Sequence, residues 1–285
     1  LMPLNEKIVG KKYQSKGGTD ITAHESIYYA LAYNEDNDAY FDNRRPGGIV
    51  APPMYAVNYA LAPVVDLLFD QETGMNVMMM VHYSQEFEWL LPVKPKDKVV
   101  SELTITGIDT REKGGVLAWQ SVCTNQNGEI VVKATGEFFD RSAGSGRPDA
   151  KKDEKIIPGD ILWNQEMKVR NGQTYIYAEP SGDHNVIHVD DDFAKKVGLP
   201  GIILQGLCTM AFAHKSFTDN CAGPDRDPMK IRKMKVGFSR PVLPGQTLAF
   251  QGFKIGPAEG GVRYGLTVKN NEGQDVLRNA WSLIV

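Results

Sequence analysis

Cysteine is scarce in this chain of 285 residues: Cys123, Cys208 and Cys221 are the only three, and no two stand in a C-x-x-C spacing. That number and spacing support neither a disulfide framework nor a structural zinc site. Long apolar runs are also missing. A membrane span takes about 18 consecutive apolar residues, and the longest stretches here, 52–65 and 198–213, are interrupted by Asn58 and Gln205. They read as buried helices. Nor does one charge sign dominate, with 32 Lys and Arg against 35 Asp and Glu, a net charge of −3. Without a basic stripe, a nucleic-acid partner has no electrostatic footprint. The first seven residues lack the apolar core of a secretory signal. These absences predict a reduced, cytoplasmic, soluble protein with no membrane or nucleic-acid partner.

What the chain does have is a repeat. Tyr29-Ala30 returns as Tyr177-Ala178, Gly48-Ile49-Val50 as Gly201-Ile202-Ile203, and Pro92-Val93-Lys94-Pro95 as Pro241-Val242-Leu243-Pro244. Gly114-Gly115-Val116 returns as Gly260-Gly261-Val262, and Gly128-Glu129-Ile130 as Gly273-Gln274-Asp275. The order is kept and the offset drifts by only a few residues, which predicts two copies of one unit. The joint is expected within 141–159, where a polar Ser/Gly stretch meets a charged run. The units are then 1–145 and 146–285.

Each copy carries the same plan. Thr22 and Glu25 have capping-box spacing, so a helix is expected over 23–33. A polar loop at 34–43 follows, then a helix over 54–68 that is apolar on nearly every side and must be wrapped by other elements. Strands are expected at 77–88, 99–108, 116–125 and 130–140, the first packing Met78, Met79 and Met80 on both its faces. In the second copy a short helix ends near Pro180 and a buried helix covers 207–217. Strands follow at 231–240, 247–255, 262–270 and 276–285, where Val262, Tyr264, Leu266 and Val268 alternate as in a half-buried strand. The implied class is α+β, an antiparallel sheet curled round one apolar helix, twice over. The two sheets could join edge to edge and hide two edges.

The second copy's interhelical loop, Ser181-Gly182-Asp183-His184-Asn185-Val186-Ile187-His188, brings a carboxylate, an amide and an imidazole into six positions. Asp183, Asn185 and His188 together offer acid–base capacity near neutral pH. The spacing suits neither a metalloprotease helix nor a calcium loop, so no metal is expected. The stretch Tyr177 to His188, with Ala194 beyond it, resembles the signature of MaoC-like dehydratases and type 2 enoyl-CoA hydratases. Matches continue in Gly201-Ile202-Ile203-Leu204-Gln205-Gly206-Leu207-Cys208 and in Val236-Gly237-Phe238-Ser239-Arg240-Pro241. Val186 departs from the family's usual Pro, and Gln205 from its usual His.

The resemblance implies two tandem hot-dog units and (R)-specific hydration of trans-2-enoyl-CoA, or the reverse dehydration. It makes Asp183 and His188 the catalytic pair, with Asn185 in support. Gly206, opening the buried helix, then lends its backbone N–H to the charge that builds on the thioester oxygen. No cofactor is implied beyond the CoA of the substrate, and an acyl carrier protein or a homodimeric partner would fit the family. In the first copy, Glu35, Asn37 and Tyr40 stand where Asp183, Asn185 and His188 do, and Pro53 stands where Gly206 does. That copy has no imidazole and no N–H at that point, so a single site in the C-terminal half is expected, with the N-terminal half as sheet partner and acyl-pocket wall. Acyl-CoA thioesterase and non-catalytic acyl-thioester binding are the competing readings. His24, His82 and His214 read as packing or surface residues, and Cys208 as a small buried apolar residue.

Overall fold

A computed structural model describes residues 4–145 and 155–285; the expected joint falls partly outside them. Two short strands, β1 (Lys12–Gln14) and β2 (Thr19–Asp20), precede α1 (Ala23–Ala32). The cap on α1 forms as expected: Glu25 N–H donates to Thr22 Oγ1 at 3.1 Å, and that hydroxyl donates to Glu25 Oε2 at 2.7 Å. The expected loop over 34–43 contains a one-turn helix, α2 (Asp38–Phe41), because Asn37 Oδ1 accepts the Ala39 N–H at 2.9 Å.

The expected apolar helix over 54–68 is not continuous. A 3-10 turn, Pro53–Ala56, runs into α3 (Val57–Ala60), and α4 (Val64–Phe69) starts only after a break. Pro63 lies in that break and has no N–H to carry a helix ladder onward. The second piece is not wrapped either, since Val65 and Phe69 are 57% and 78% exposed. The methionine run also departs from expectation. Asn76 Oδ1 accepts the Met78 N–H and closes a 3-10 turn over Val77–Met79, which leaves Met78 exposed and delays β3 (Met80–Trp89) to Met80. A local side-chain turn here outcompetes strand pairing.

The remaining elements follow in order: β4 (Lys98–Arg111), β5 (Gly114–Thr124), β6 (Ile130–Asp140), β7 (Ile161–Lys168), α5 (Gln173–Ser181), α6 (Asp191–Lys196), α7 (Gly206–Cys221), β8 (Ile231–Phe238), β9 (Thr247–Ala258), β10 (Gly261–Lys269) and β11 (Leu277–Ile284). They form one antiparallel sheet in the order β1-β4-β5-β6-β3-β8-β11-β10-β9-β7, with β2 beside β4. Strands from before and after the expected joint therefore stay apart, and they meet only where β3 pairs with β8, from Ser84↔Gly237 to Glu88↔Lys233. The edge-to-edge union removes two exposed edges. In α7 every residue from Leu207 to Thr218 is buried, the polar Thr209, His214, Lys215, Ser216 and Thr218 included.

The duplication is visible in detail. Tyr29 and Tyr177, 148 positions apart, meet hydroxyl to hydroxyl at 2.8 Å between α1 and α5. Just past those helices Asn34 and Gly182, again 148 apart in sequence, both adopt left-handed backbone, at φ 62° and 68°. Asn tolerates that region better than other side chains do, so both copies can make one turn with different residues. Among the described residues no helix is long and apolar enough to cross a membrane.

Candidate active site

After Gly182 the chain makes a turn built by its own polar side chains. Asp183 Oδ1 accepts the Asn185 N–H, and Asn185 Oδ1 accepts the Ile187 N–H, each at 3.3 Å. The second bond caps the 3-10 turn Val186–His188, which carries the imidazole inward. His188 Nδ1 lies 2.7 Å from the Ile203 carbonyl oxygen. A carbonyl only accepts, so Nδ1 carries a proton, and Nε2 is the ring nitrogen that faces Asp183.

His188 Nε2 lies 3.8 Å from Asp183 Oδ2, with the imidazole 9% and the carboxyl 35% exposed. That separation is too long for a direct hydrogen bond, yet one water at about 2.8 Å from each atom can touch both. Asn185 is itself exposed, and its amide oxygen is committed to the cap. Its observed part is to shape the turn.

The segment leading to α7 is stitched to this loop. Ile202 N–H donates to Asp191 Oδ1 and Ile203 N–H to the Ile187 carbonyl, both at 3.1 Å, while Leu204 N–H reaches the Val242 carbonyl at 2.7 Å. Gly206, three residues beyond the carbonyl that holds His188, is the first residue of α7. Its N–H has no backbone acceptor among the described residues, as expected of the first position of a helix. A Cβ here would lie 3.1 Å from two ring atoms of Phe238, so glycine lets that ring close over the helix end. Cys208 is buried and its thiol is pushed well up by burial, as befits a packing residue.

Two further residues lie near the loop, one read from the sequence as a packing or surface residue and the other as a departure from the family's His. His82, on β3 of the other half, sits between Phe138 and Phe238 with ring centroids 5.3 and 5.0 Å away. Burial lowers its pKa to about 4, with the Asp183 field acting weakly the other way. No motif surrounds His82; only the β3–β8 pairing brings it here. The other is Gln205, fully buried ahead of Gly206.

The first copy repeats the turn and fills it differently. Glu35 Oε1 accepts the Asn37 N–H at 3.1 Å, and Asn37 caps α2 as Asn185 caps its own turn. Tyr40 is fully buried where the imidazole would be. Lys215 from α7 and Arg226 each lie 3.3 Å from Glu35 Oε1, and both also bind Asp36 and Asp219. Three carboxylates there are met by two cations of the chain itself.

Residues 154–272 match the family described as MaoC like domain, and residues 7–134 match the FAS1-like, dehydratase domain region. The later half of the chain is thus a MaoC-like domain, and the earlier half matches a dehydratase region. Among the chain's relatives is a Dictyostelium discoideum protein named probable enoyl-CoA hydratase 2, 29% identical over 73% of this chain and 72% of that one. Peroxisomal multifunctional enzyme type 2 of Mus musculus is 28% identical across 96% of this chain, which spans 37% of the mouse protein. A MaoC-like dehydratase from Phytophthora capsici superposes with a TM-score of 0.85 at 21% identity, covering 100% of this chain and 98% of that one. A Mycobacterium tuberculosis protein described as a double hotdog fold superposes at 0.64 and 12% identity, over 96% of this chain and 95% of its own. The chain is therefore two hot-dog units joined in one sheet. Two relatives, from Mus musculus and Arabidopsis thaliana, are named as peroxisomal.

Proposed function

We propose that the protein hydrates trans-2-enoyl-CoA to (R)-3-hydroxyacyl-CoA, and catalyses the reverse dehydration, at one site in its C-terminal half. The observation that carries the reading is the His188–Asp183 pair, 3.8 Å apart with Nδ1 of the histidine pinned to Ile203. A water held between Nε2 and the carboxyl attacks Cβ, giving up one proton to the pair. The same pair returns a proton to Cα on that face, so both additions are syn and no proton is gained or lost. The thioester oxygen gains charge as Cβ is attacked, and the Gly206 N–H at the head of α7 is placed to receive it. The unit comprising residues 1–145 serves as sheet partner and as a wall of the acyl pocket, with His82 and Phe138 facing Phe238. A carrier-protein thioester would undergo the same chemistry through a different handle.

The test is hydration of crotonyl-CoA, followed as loss of the conjugated absorbance. Asp183→Asn and His188→Ala are each expected to lower kcat by about 100- to 10,000-fold while the fold survives. Full activity in either variant would remove the mechanism. Release of free thiol in a trapping assay would instead identify a thioesterase.

A further inference from the structure

We propose that Gln205 is a positioning residue for this hydration, holding the Asp183 turn and the head of α7 in one register; the inference rests on the reading just given. Gln205 is fully buried and is the residue immediately before Gly206. Its Nε2 donates to the Thr174 carbonyl on α5 at 3.0 Å and to the Asp183 carbonyl at 3.3 Å. One side chain thus ties three pieces of the site: the first turn of α5, the residue carrying the carboxyl, and the N-terminus that presents the Gly206 N–H.

An amide is suited to this in a way an imidazole is not. The NH2 group offers two hydrogens from one nitrogen and so bridges two carbonyls. A neutral imidazole offers one N–H, and its second nitrogen would face a carbonyl as an acceptor. Histidine at 205 can therefore keep one of the two ties. The Gln205 Oε1 has no partner among the described residues although it is buried. A buried acceptor left unpaired is costly, which indicates that the side chain is held by its nitrogen alone. Without the clamp the turn is still held at Ile187 and His188 through Ile203, but its Asp183 end loses its tie to the head of α7 and can drift relative to Gly206. A misplacement of about 1 Å costs roughly 100-fold in such a site.

The experiment compares Gln205→Met, equal in length but without donors, and Gln205→His with the wild type in the full chain. Enoyl-CoA hydration and amide hydrogen exchange of residues 183–188 are measured together. The expected order of kcat is wild type, then Gln205→His, then Gln205→Met. The last should be about 10- to 100-fold down with KM changed less than about 3-fold, and with faster exchange in the turn. Unchanged exchange and kcat in a folded Gln205→Met variant overturn the proposal. So does a loss of thermal stability with kcat per folded molecule intact, because that is what a purely structural residue would give. If the wild type itself fails to hydrate any enoyl-CoA, the functional reading falls. The clamp then stands or falls on the exchange data alone, since accelerated exchange in Gln205→Met still supports it.

Discussion

Lys215→Met is the most informative perturbation of the cluster around Glu35. Lys215 Nζ lies 3.3 Å from Glu35 Oε1, with side-chain exposures of 10% and 0%. At an effective dielectric of about 20, that pair attracts by about 5 kcal/mol before desolvation is subtracted. Removing one partner of a buried pair usually costs about 3–5 kcal/mol, because the other charge is left uncompensated. Two features reduce the figure here. Arg226 remains at 3.3 Å from the same oxygen, and burial raises the Glu35 pKa against the opposing pull of Lys215, so the carboxyl can take up a proton. A loss of about 2–3 kcal/mol is expected, read as a shift in the urea midpoint. Glu35→Gln should cost less, since Lys215 keeps Asp36 at 2.7 Å and Asp219 at 3.1 Å. The double variant should show a coupling of about 1–2 kcal/mol. Hydration by the folded Lys215→Met protein should fall, because α7 carries Gly206 at its first position. A cost under about 0.5 kcal/mol, or zero coupling, would refute the view that this cluster braces the two halves.

The pH dependence of the same site has a definite sign. A carboxyl whose folded pKa lies above its ordinary 4.5 binds more protons folded than unfolded, so its contribution is present at low pH and lost as pH rises through the folded value. Stability of Glu35→Gln relative to wild type should therefore rise with pH above about 4.5; a flat difference in denaturation curves would count against it. His214 works the other way: burial lowers its pKa from 6.5 to about 3, so the stability it confers is present above 6.5 and lost as pH falls towards 3. The acid loss in that window should shrink in His214→Gln, and an unchanged acid limb would contradict this. Gly206→Ala should cut kcat about 10-fold by pressing on Phe238, and Phe238→Leu should relieve it; full activity in Gly206→Ala, which keeps the backbone N–H, would show that the ring yields without displacing the helix end. Tyr177→Phe should cost about 1–3 kcal/mol by stranding the Tyr29 hydroxyl, and adding Tyr29→Phe should cost little more, as thermal unfolding can measure.

Much of this was legible because a repeat gives each element two chances to be read. Eight of the eleven strands and the α1 cap follow from local chemistry, alternation and a Thr–Glu spacing, whereas β1, β2 and β7 were not read from the sequence. What stayed hidden depends on contacts between distant segments. No local pattern joins His82 to Phe238; that takes the pairing of β3 with β8. Lys215 reads as one polar residue in an apolar helix until Glu35, 180 positions earlier, is seen against it. The apolar run at 54–68 misled because composition was weighed above Pro63, whose missing N–H breaks the helix. Met78 misled in the same way: an apolar triplet suggests a strand, but Asn76 two residues earlier closes a turn first.

The asymmetry of the two copies has a physical order. Pro53 lacks the N–H that Gly206 retains, and on the proposed mechanism an imidazole beside it would have no donor for the developing oxyanion. Tyr40 and Glu35 then only have to pack. Yet the site is not simply closed by its own half, because Lys215 comes from α7, whose first residue is Gly206. Nine residues separate the two, about 14 Å along one helix axis. One end of α7 therefore faces the turn with the acid–base pair, and the other end neutralises the relict carboxylate. The buried charge at Glu35 holds this helix at its far end, while the stitches from Ile202 to Leu204 hold it at the near one. On this reasoning the silent copy contributes to the active one through helix position, which a stability measurement on Lys215→Met and an exchange measurement on residues 183–188 can separate.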